Sequence, residues 1–114
     1  MKLGEFIEQL NHNPTEVEFE QTMAAIDANY EFIPTAFING ETNNAANQNN
    51  GSCKIFAFAQ LNLLSEQDTL ACFGRFYRED VLQNPDGEDH ANIRNFIKFG
   101  WQGIEFESEA LVAK

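Results

Sequence analysis

Apolar residues in the first third of the chain recur at the spacing of one helical face. They lie three and four positions apart near the start of the sequence: Leu3, Phe6, Ile7 and Leu10. This spacing predicts an amphipathic helix over residues 3–10. A second helix is predicted to have Pro14 in its first turn, where the missing N–H of proline costs nothing. The buried stripe of this second helix, which runs to about Asn29, comprises Phe19, Met23 and Ile26.

Two further segments have the alternation and aromatic content of short strands. Residues 30–38 read "YEFIPTAFI", and Pro34 is expected to confine this segment to a sheet edge or to split it. Residues 103–107 place Ile104 and Phe106 on one side and glutamates on the other. Pairing of the two segments with each other is one arrangement that the pattern allows. Asn39-Gly40 is a strong turn signal after the first of them.

Residues 53–64 are apolar on nearly every side, which predicts a helix at the centre of the domain. The apolar positions of this segment include Ile55, Phe56, Phe58, Leu61, Leu63 and Leu64. The preceding segment, 41–51, is dense in asparagine and contains too many turn formers for a helix, so we expect a polar loop. Ser52 is the predicted N-cap of the central helix.

Two more helices complete the predicted fold. One begins after the N-cap Ser65, with Asp68 approximating a capping box, and ends near Leu82. Its buried residues are expected to be Leu70, Phe73, Phe76 and Tyr77. The other begins after the N-cap Asp89 and ends at Gly100; its core residues are expected to be Ile93, Phe96 and Ile97. We therefore predict a single domain over residues 1–114, of the α+β class and mostly helical, with about five helices around the central one.

The net charge of the chain limits the classes of partner that it is expected to bind. With 18 acidic against 7 basic residues, the formal net charge is −11 at pH 7. Nucleic acids and anionic membranes attract proteins through Lys and Arg, so neither is expected as a partner. A hydrophobic content of 43% with 11 Phe predicts an ordered core rather than a disordered chain.

The start of the chain and its cysteines bear on the compartment. "MKLGEFIEQL" is acidic and amphipathic and does not have the pattern of a cleaved signal peptide. No apolar stretch approaches the ~20 residues that span a bilayer. Cys53 and Cys72 are then expected to be reduced thiols. We expect a cytoplasmic protein, and secretion without a cleaved leader stays open.

Two strings carry a family resemblance. "GSCKIFAFAQLN" and "LACFGRFYREDVLQNPDGEDHANIRNFIKFGWQGIEF" resemble the HopJ family, named after a bacterial type III secretion effector, over roughly residues 30–107. The resemblance implies a HopJ-like domain and suggests delivery into a host cell. It implies no established reaction, cofactor or catalytic residue. Action through contact with a protein or small-molecule partner is therefore the leading expectation, and the oligomeric state stays open.

A shorter resemblance concerns chemistry. "GSCKIFAF" is similar to the nucleophile segment of papain-like cysteine proteases, and "DHAN" is similar to the segment with their catalytic histidine. This resemblance implies Cys53 as nucleophile, His90 as its base, Asn92 or Asp89 as the group that orients the imidazole, and Asn47 (with Gln48 one residue off) in the oxyanion position. A cysteine in a first helical turn gains thiolate stability from the helix dipole. The alternative function is thus a small cysteine-dependent hydrolase or transferase.

Several features of the chain oppose that alternative. Cys53 and His90 are much closer in sequence than in papain-like enzymes, and His90 lies at a predicted helix start. Cysteine is also among the most frequently buried residue types. In addition to Cys53 and His90, we name five candidate ligand-binding residues: Lys54, Asn50, Ser52, Arg94 and Trp101. Ion pairs with Glu79, Asp80 or Asp89 are the simpler role for Arg75, Arg78 and Arg94. The acidic "PDGEDH" turn lacks the spacing of a calcium loop, so we predict no metal site and no cofactor.

Overall fold

The central helix predicted from the sequence is present and buried. The computed structural model describes residues 2–114, and in it α3 (Asn50–Leu61) crosses the middle of the domain. Its buried side chains include Cys53, Ile55, Phe56 and Phe58. Aromatic rings surround this helix, and Phe56 alone contacts the rings of Phe37, Phe73, Phe96 and Trp101.

In the described part of the chain, four other α-helices pack around α3. They are α1 (Leu3–His12), α2 (Phe19–Asn29), α4 (Glu66–Ala71) and α5 (Ala91–Phe99). Shorter helical segments are a 3₁₀ turn at Pro14–Glu16, a π-helical segment at Phe76–Val81 and a 3₁₀ turn at Gly100–Gly103. The predicted α+β class with mostly helical content is confirmed. None of the described helices is both long and apolar enough to cross a membrane.

Within residues 2–114, five short strands form two antiparallel sheets. β2 (Phe37–Asn39) lies between β3 (Thr42–Asn44) and β4 (Ile104–Phe106), and β1 (Tyr30–Phe32) pairs with β5 (Leu111–Ala113). Phe37 lies opposite Phe106, so the two segments predicted as extended do pair with each other. Pro34 separates β1 from β2, which confirms the predicted split. β3 and β5 were not predicted, and β3 lies within the segment predicted to be a polar loop.

The helix predicted from Ser65 to Leu82 is instead divided. Ser65 does cap α4, because its Oγ accepts the Asp68 N–H at 3.1 Å. Gly74 then adopts φ +61°, which ends the helical run before the π-helical segment. A Cβ at Gly74 would lie 2.6 Å from the backbone nitrogen of Phe19, so this close approach requires glycine. The boundary was wrong because the local pattern does not reveal contact with α2.

Two predicted N-caps are also corrected. α3 begins at Asn50 with Asn49, rather than Ser52, in the cap position, and α5 follows His90 rather than Asp89. Both cap residues are left-handed, with φ values of +53° and +52°. Asp89 does not cap α5 because its carboxylate accepts a hydrogen bond from Arg94 at 2.6 Å. Gly100, with φ +64°, ends α5 as predicted.

One residue of α5 that was predicted to face the core of the domain does not do so. Ile97 is 48% exposed, whereas Ile93 and Phe96 are buried as predicted. α2 likewise begins at Phe19 rather than with Pro14 in its first turn, because Pro14–Glu16 forms its own 3₁₀ turn.

Candidate functional site

Cys53 lies in the first turn of α3 with its side chain sealed in the core. The residue is 1% exposed, and its Sγ lies 3.8 Å from the carbonyl oxygen of Thr35. Burial raises the pKa of the Cys53 thiol to about 11, and the hydrogen bond to Thr35 offsets only part of this rise. A thiol in this state is protonated at neutral pH and shielded from substrates. The dipole of α3 therefore does not produce the thiolate that the papain-like resemblance implies.

His90 is held by carboxylates. Its Nε2 lies 3.0 Å from Asp80 Oδ2 and 3.9 Å from Asp89 Oδ2. The imidazole also packs on the ring of Phe76, with centroids 5.3 Å apart. Asp80, rather than Asp89 or Asn92, is thus the closest polar partner of the imidazole. The sequence did not indicate Asp80 for this role because the π-helical segment that carries it was predicted as regular helix.

A cavity of about 340 Å³ lies where α3 and α5 begin, and it gathers some of the predicted site residues. Ser52, His90 and Asn92 line it, together with Asn49 and the rings of Phe19, Phe73 and Phe76. Cys53 and Asn47 are not among its lining residues. Asn47 lies exposed in the loop before α3, with φ +70°. The structure therefore brings His90 and Asn92 to one cavity and leaves the thiol out of it.

Asn92 belongs to a buried amide network rather than to the imidazole. Its Oδ1 accepts from Nδ2 of Asn39 and of Asn44, both at 3.1 Å, and its own Nδ2 donates to Asn44 Oδ1 at 3.0 Å. Asn49 Nδ2 also donates to Asn44 Oδ1, at 2.7 Å. The network ties the β2–β3 hairpin to α5, which explains part of the asparagine content of this region. Among the described residues, the buried Oδ1 of Asn39 has no hydrogen-bond partner.

Two of the candidate ligand-binding residues, Lys54 and Arg94, have structural contacts. Lys54 Nζ pairs with Asp27 Oδ1 at 2.9 Å and lies 5.1 Å from the centroid of the Phe32 ring. Arg94 holds the turn before α5, since its guanidinium donates to the Asp89 carboxylate and to the carbonyl of Asn84. Asn50 is the first residue of α3 and is partly exposed.

The other two arginines pair differently from the prediction. Arg75 contacts the carboxylates of Glu18 and Glu20, both at 3.1 Å, and Arg78 contacts Glu18 at 3.0 Å. These acids lie at the start of α2, which packs near the π-helical segment. Only Arg94 has the predicted kind of partner, Asp89. The described residues contain no group of three or more His, Cys, Asp or Glu side chains placed to hold a metal ion.

Trp101 lies beside a second feature, at the other end of α3. Its ring packs edge-on against Phe96, with centroids 4.9 Å apart, and remains partly exposed. It borders a depression of about 340 Å³ whose other lining residues include Leu63 and Leu64. Leu61, the last residue of α3, is 57% exposed at the same end of the helix. We call Leu61, Leu63 and Trp101 the Leu63 surface.

Leu63 occupies the position where a helix end usually has glycine. The N–H of Leu63 donates to the carbonyl of Gln60, and the N–H of Leu64 donates to that of Ala59. These two bonds form a Schellman motif whose left-handed residue is Leu63, with φ +53°. Its side chain is 91% exposed, although the sequence pattern placed it in the buried helix. The Asn62 and Ser65 positions on either side of the two leucines were the available signal that the helix ends there.

Together these features define a small acidic α+β domain with a sealed thiol and an exposed apolar helix end. The chain belongs to the HopJ family: a family model described as HopJ type III effector protein matches residues 3–111. A crystal structure of a protein of unknown function, VPA0580, is 60% identical and has a TM-score of 0.99, with 100% of this chain and 95% of that chain covered. No curated protein matches the chain.

Proposed function

We propose that this HopJ-family chain works by binding a protein partner through the Leu63 surface, without catalysis. The single observation that supports this proposal most is the conformation and exposure of Leu63. A left-handed conformation costs a non-glycine residue roughly 1–2 kcal/mol. A side chain that is 91% exposed recovers almost none of that cost by burial within the domain. On this proposal, a contact outside the chain offsets the cost that burial within the domain does not recover.

The neighbours of Leu63 support a contact surface. Leu61 is 57% exposed, and the partly exposed Trp101 borders the same depression as Leu63. Large apolar side chains and tryptophan are the residue types that dominate binding energy in protein interfaces. Grouped apolar exposure on a soluble domain is a recognised mark of an interaction site.

The thiol-enzyme alternative has less support. A pKa of about 11 leaves the Cys53 thiol protonated at physiological pH, and 1% exposure leaves no path for a substrate. The His90 imidazole, in turn, lies against the Asp80 carboxylate. Cys53, His90, Asn92 and Asn47 therefore stay a sequence-based prediction that these contacts do not favour.

The family description bears on where the partner is met. Membership of the HopJ type III effector family suggests delivery into a host cell, and on this proposal a host protein then contacts the Leu63 surface. If the chain stays in the bacterial cytoplasm, the same surface serves a bacterial partner.

The test is affinity capture from bacterial and host-cell extracts with three forms of the full chain. Leu63→Asp places a charge on the proposed surface, and Leu82→Asp places the same charge at another exposed leucine, 53% exposed. A partner that the wild type and Leu82→Asp retain and Leu63→Asp loses supports the proposal. Equal capture by all three forms would overturn it.

A further inference from the structure

The Leu63 surface opens onto a longer groove. The depression between Leu63 and Trp101 shares Gln60 with a second depression of about 230 Å³, which Leu61 also lines. That second depression shares Phe106 with a third, of about 560 Å³, over the strands of the three-stranded sheet. We call these three neighbouring depressions the α3 groove. Ile38, a β2 residue that is itself 43% exposed, also lines the third depression.

The charges along the α3 groove all have one sign. Glu105 and Glu107 line the third depression, and Glu109 lines the second. At the other end, Glu66 Oε2 lies 3.4 Å from the backbone nitrogen of Trp101. None of the residues that line the three depressions is Lys or Arg. The groove therefore combines exposed apolar side chains with neutral polar groups and an acidic border.

We infer that the α3 groove binds a protein segment whose large apolar side chains are flanked by Lys and Arg. This inference rests on the proposed function and names its partner class. Apolar anchors on the segment would fill the depressions, and its cations would face Glu66, Glu105, Glu107 and Glu109. Potentials of opposite sign speed encounter and disfavour wrong partners.

The same charges argue against the other occupants of such a groove. A second copy of the chain would bring a further net charge of −11 against an acidic border. An anionic lipid surface is repelled for the same reason. A basic segment of another protein is the occupant that gains from the charges present.

The experiment is a titration of the full chain with two synthetic amphipathic peptides of about 14 residues, one of Leu and Lys and one of Leu and Glu in the same pattern. Trp101 is the single tryptophan and borders the groove, so its fluorescence reports binding directly. The Lys peptide is expected to shift the emission of Trp101 in a saturable manner. The Glu peptide is expected to leave it unchanged.

Two pairs of matched variants separate a specific groove from general attraction. Leu61→Ser/Leu63→Ser removes the exposed leucines of the groove and is expected to lower the affinity for the Lys peptide by about tenfold. Leu82→Ser is expected to leave that affinity unchanged. Glu107→Gln/Glu109→Gln removes two charges at the groove, and Glu5→Gln/Glu8→Gln removes two exposed charges on α1. Glu107→Gln/Glu109→Gln is expected to weaken binding of the Lys peptide, and Glu5→Gln/Glu8→Gln is not.

The outcomes distinguish this inference from the proposed function. Absence of binding, or equal weakening by the groove and α1 charge variants, would overturn the basic-segment partner. If extracts still yield a partner that depends on Leu63, the proposed function stands and its partner class is different. Dimer formation by the wild type that Leu63→Asp abolishes, measured by sedimentation, would assign the groove to a second copy and overturn the inference. Binding to neutral or anionic lipid vesicles in place of the Lys peptide would also overturn it.

Discussion

Replacement of Leu63 by glycine is expected to stabilise the fold, although it removes a large apolar side chain. Leu63 has φ +53°, a conformation that costs a leucine roughly 1–2 kcal/mol and a glycine almost nothing. Glycine also makes the unfolded chain more flexible, which offsets about 0.4–1 kcal/mol of this gain. Because the side chain is 91% exposed, its loss removes little burial. The expected net change is a stabilisation of about 0.5–1 kcal/mol.

The assay is urea unfolding followed by Trp101 fluorescence and by circular dichroism. The midpoint should rise with no change in the dependence on urea, because the surface exposed on unfolding is nearly the same. In a thermal scan, the same gain corresponds to an increase in Tm of roughly 2–6 °C for a domain of this size.

The control is Leu63→Ala, which removes most of the side chain and keeps the left-handed strain. Its stability should lie within about 0.5 kcal/mol of the wild type, because an exposed position contributes little packing. Destabilisation by more than about 1 kcal/mol in both variants would mean that Leu63 packs within the domain. The reasoning that assigns this residue to an external contact would then be refuted.

Four further predictions follow from the core. In the native protein, Cys53 should react with iodoacetamide near pH 8 at least about 100-fold more slowly than in the unfolded chain, because the pKa of its thiol is about 11 rather than the ordinary 9.0. Mass spectrometry measures the rate, and fast alkylation of the native protein would contradict the burial of Cys53. The same shift makes the free energy of unfolding fall by up to about 1.4 kcal/mol per pH unit as pH rises from 9.0 to about 11, since the unfolded thiol ionises first. Cys53→Ala should reduce this slope in urea unfolding across that range by the share of one thiol and leave the share of the buried Cys72, whose pKa is also raised by burial. Asn92→Ala should lower the free energy of unfolding, measured in urea, by about 1–3 kcal/mol, because it leaves the Asn44 amide poorly paired. An unchanged free energy of unfolding would contradict a stabilising role for the amide network. Gly74→Ala should lower the free energy of unfolding by about 2 kcal/mol or more, whereas Gly4→Ala, with open space at its Cβ, should leave it unchanged or raise it. Equal effects of the two substitutions would refute the close approach of Gly74 to Phe19.

The sequence was most informative where one local pattern decided the structure. The periodicity of α1, the apolar character of α3 and the stop at Gly100 each depend on neighbouring residues in the chain, and each is confirmed. The pairing of β2 with β4 was also within reach, because both segments alternate and both are aromatic. In all of these cases, burial and turn chemistry agree with local propensity.

The sequence was least informative where distant contacts decide. Gly74 reads as an ordinary helical glycine until the backbone of Phe19 is seen to pass beside it. β5 forms because β1 supplies its partner from the other end of the chain. The amide network that buries Asn39, Asn44 and Asn92 likewise joins residues far apart in sequence, so their amides were expected in solvent or at the candidate thiol site.

Leu63 shows the same limit at the proposed functional surface. An apolar run predicts burial, and only the two hydrogen bonds of the helix end reveal that α3 stops before this residue. Cys53 shows the converse: the residues around it resemble a nucleophile segment, whereas the packing of α3 seals the thiol.

The most direct test of the proposed function is site-specific photo-crosslinking in living cells. A photoreactive amino acid is placed at position 63 in one variant and at position 82 in another, since both side chains are exposed in the domain. The proposal predicts a discrete crosslinked protein from position 63 and none from position 82. The same products from both positions, or none from either, would contradict a partner bound at Leu63.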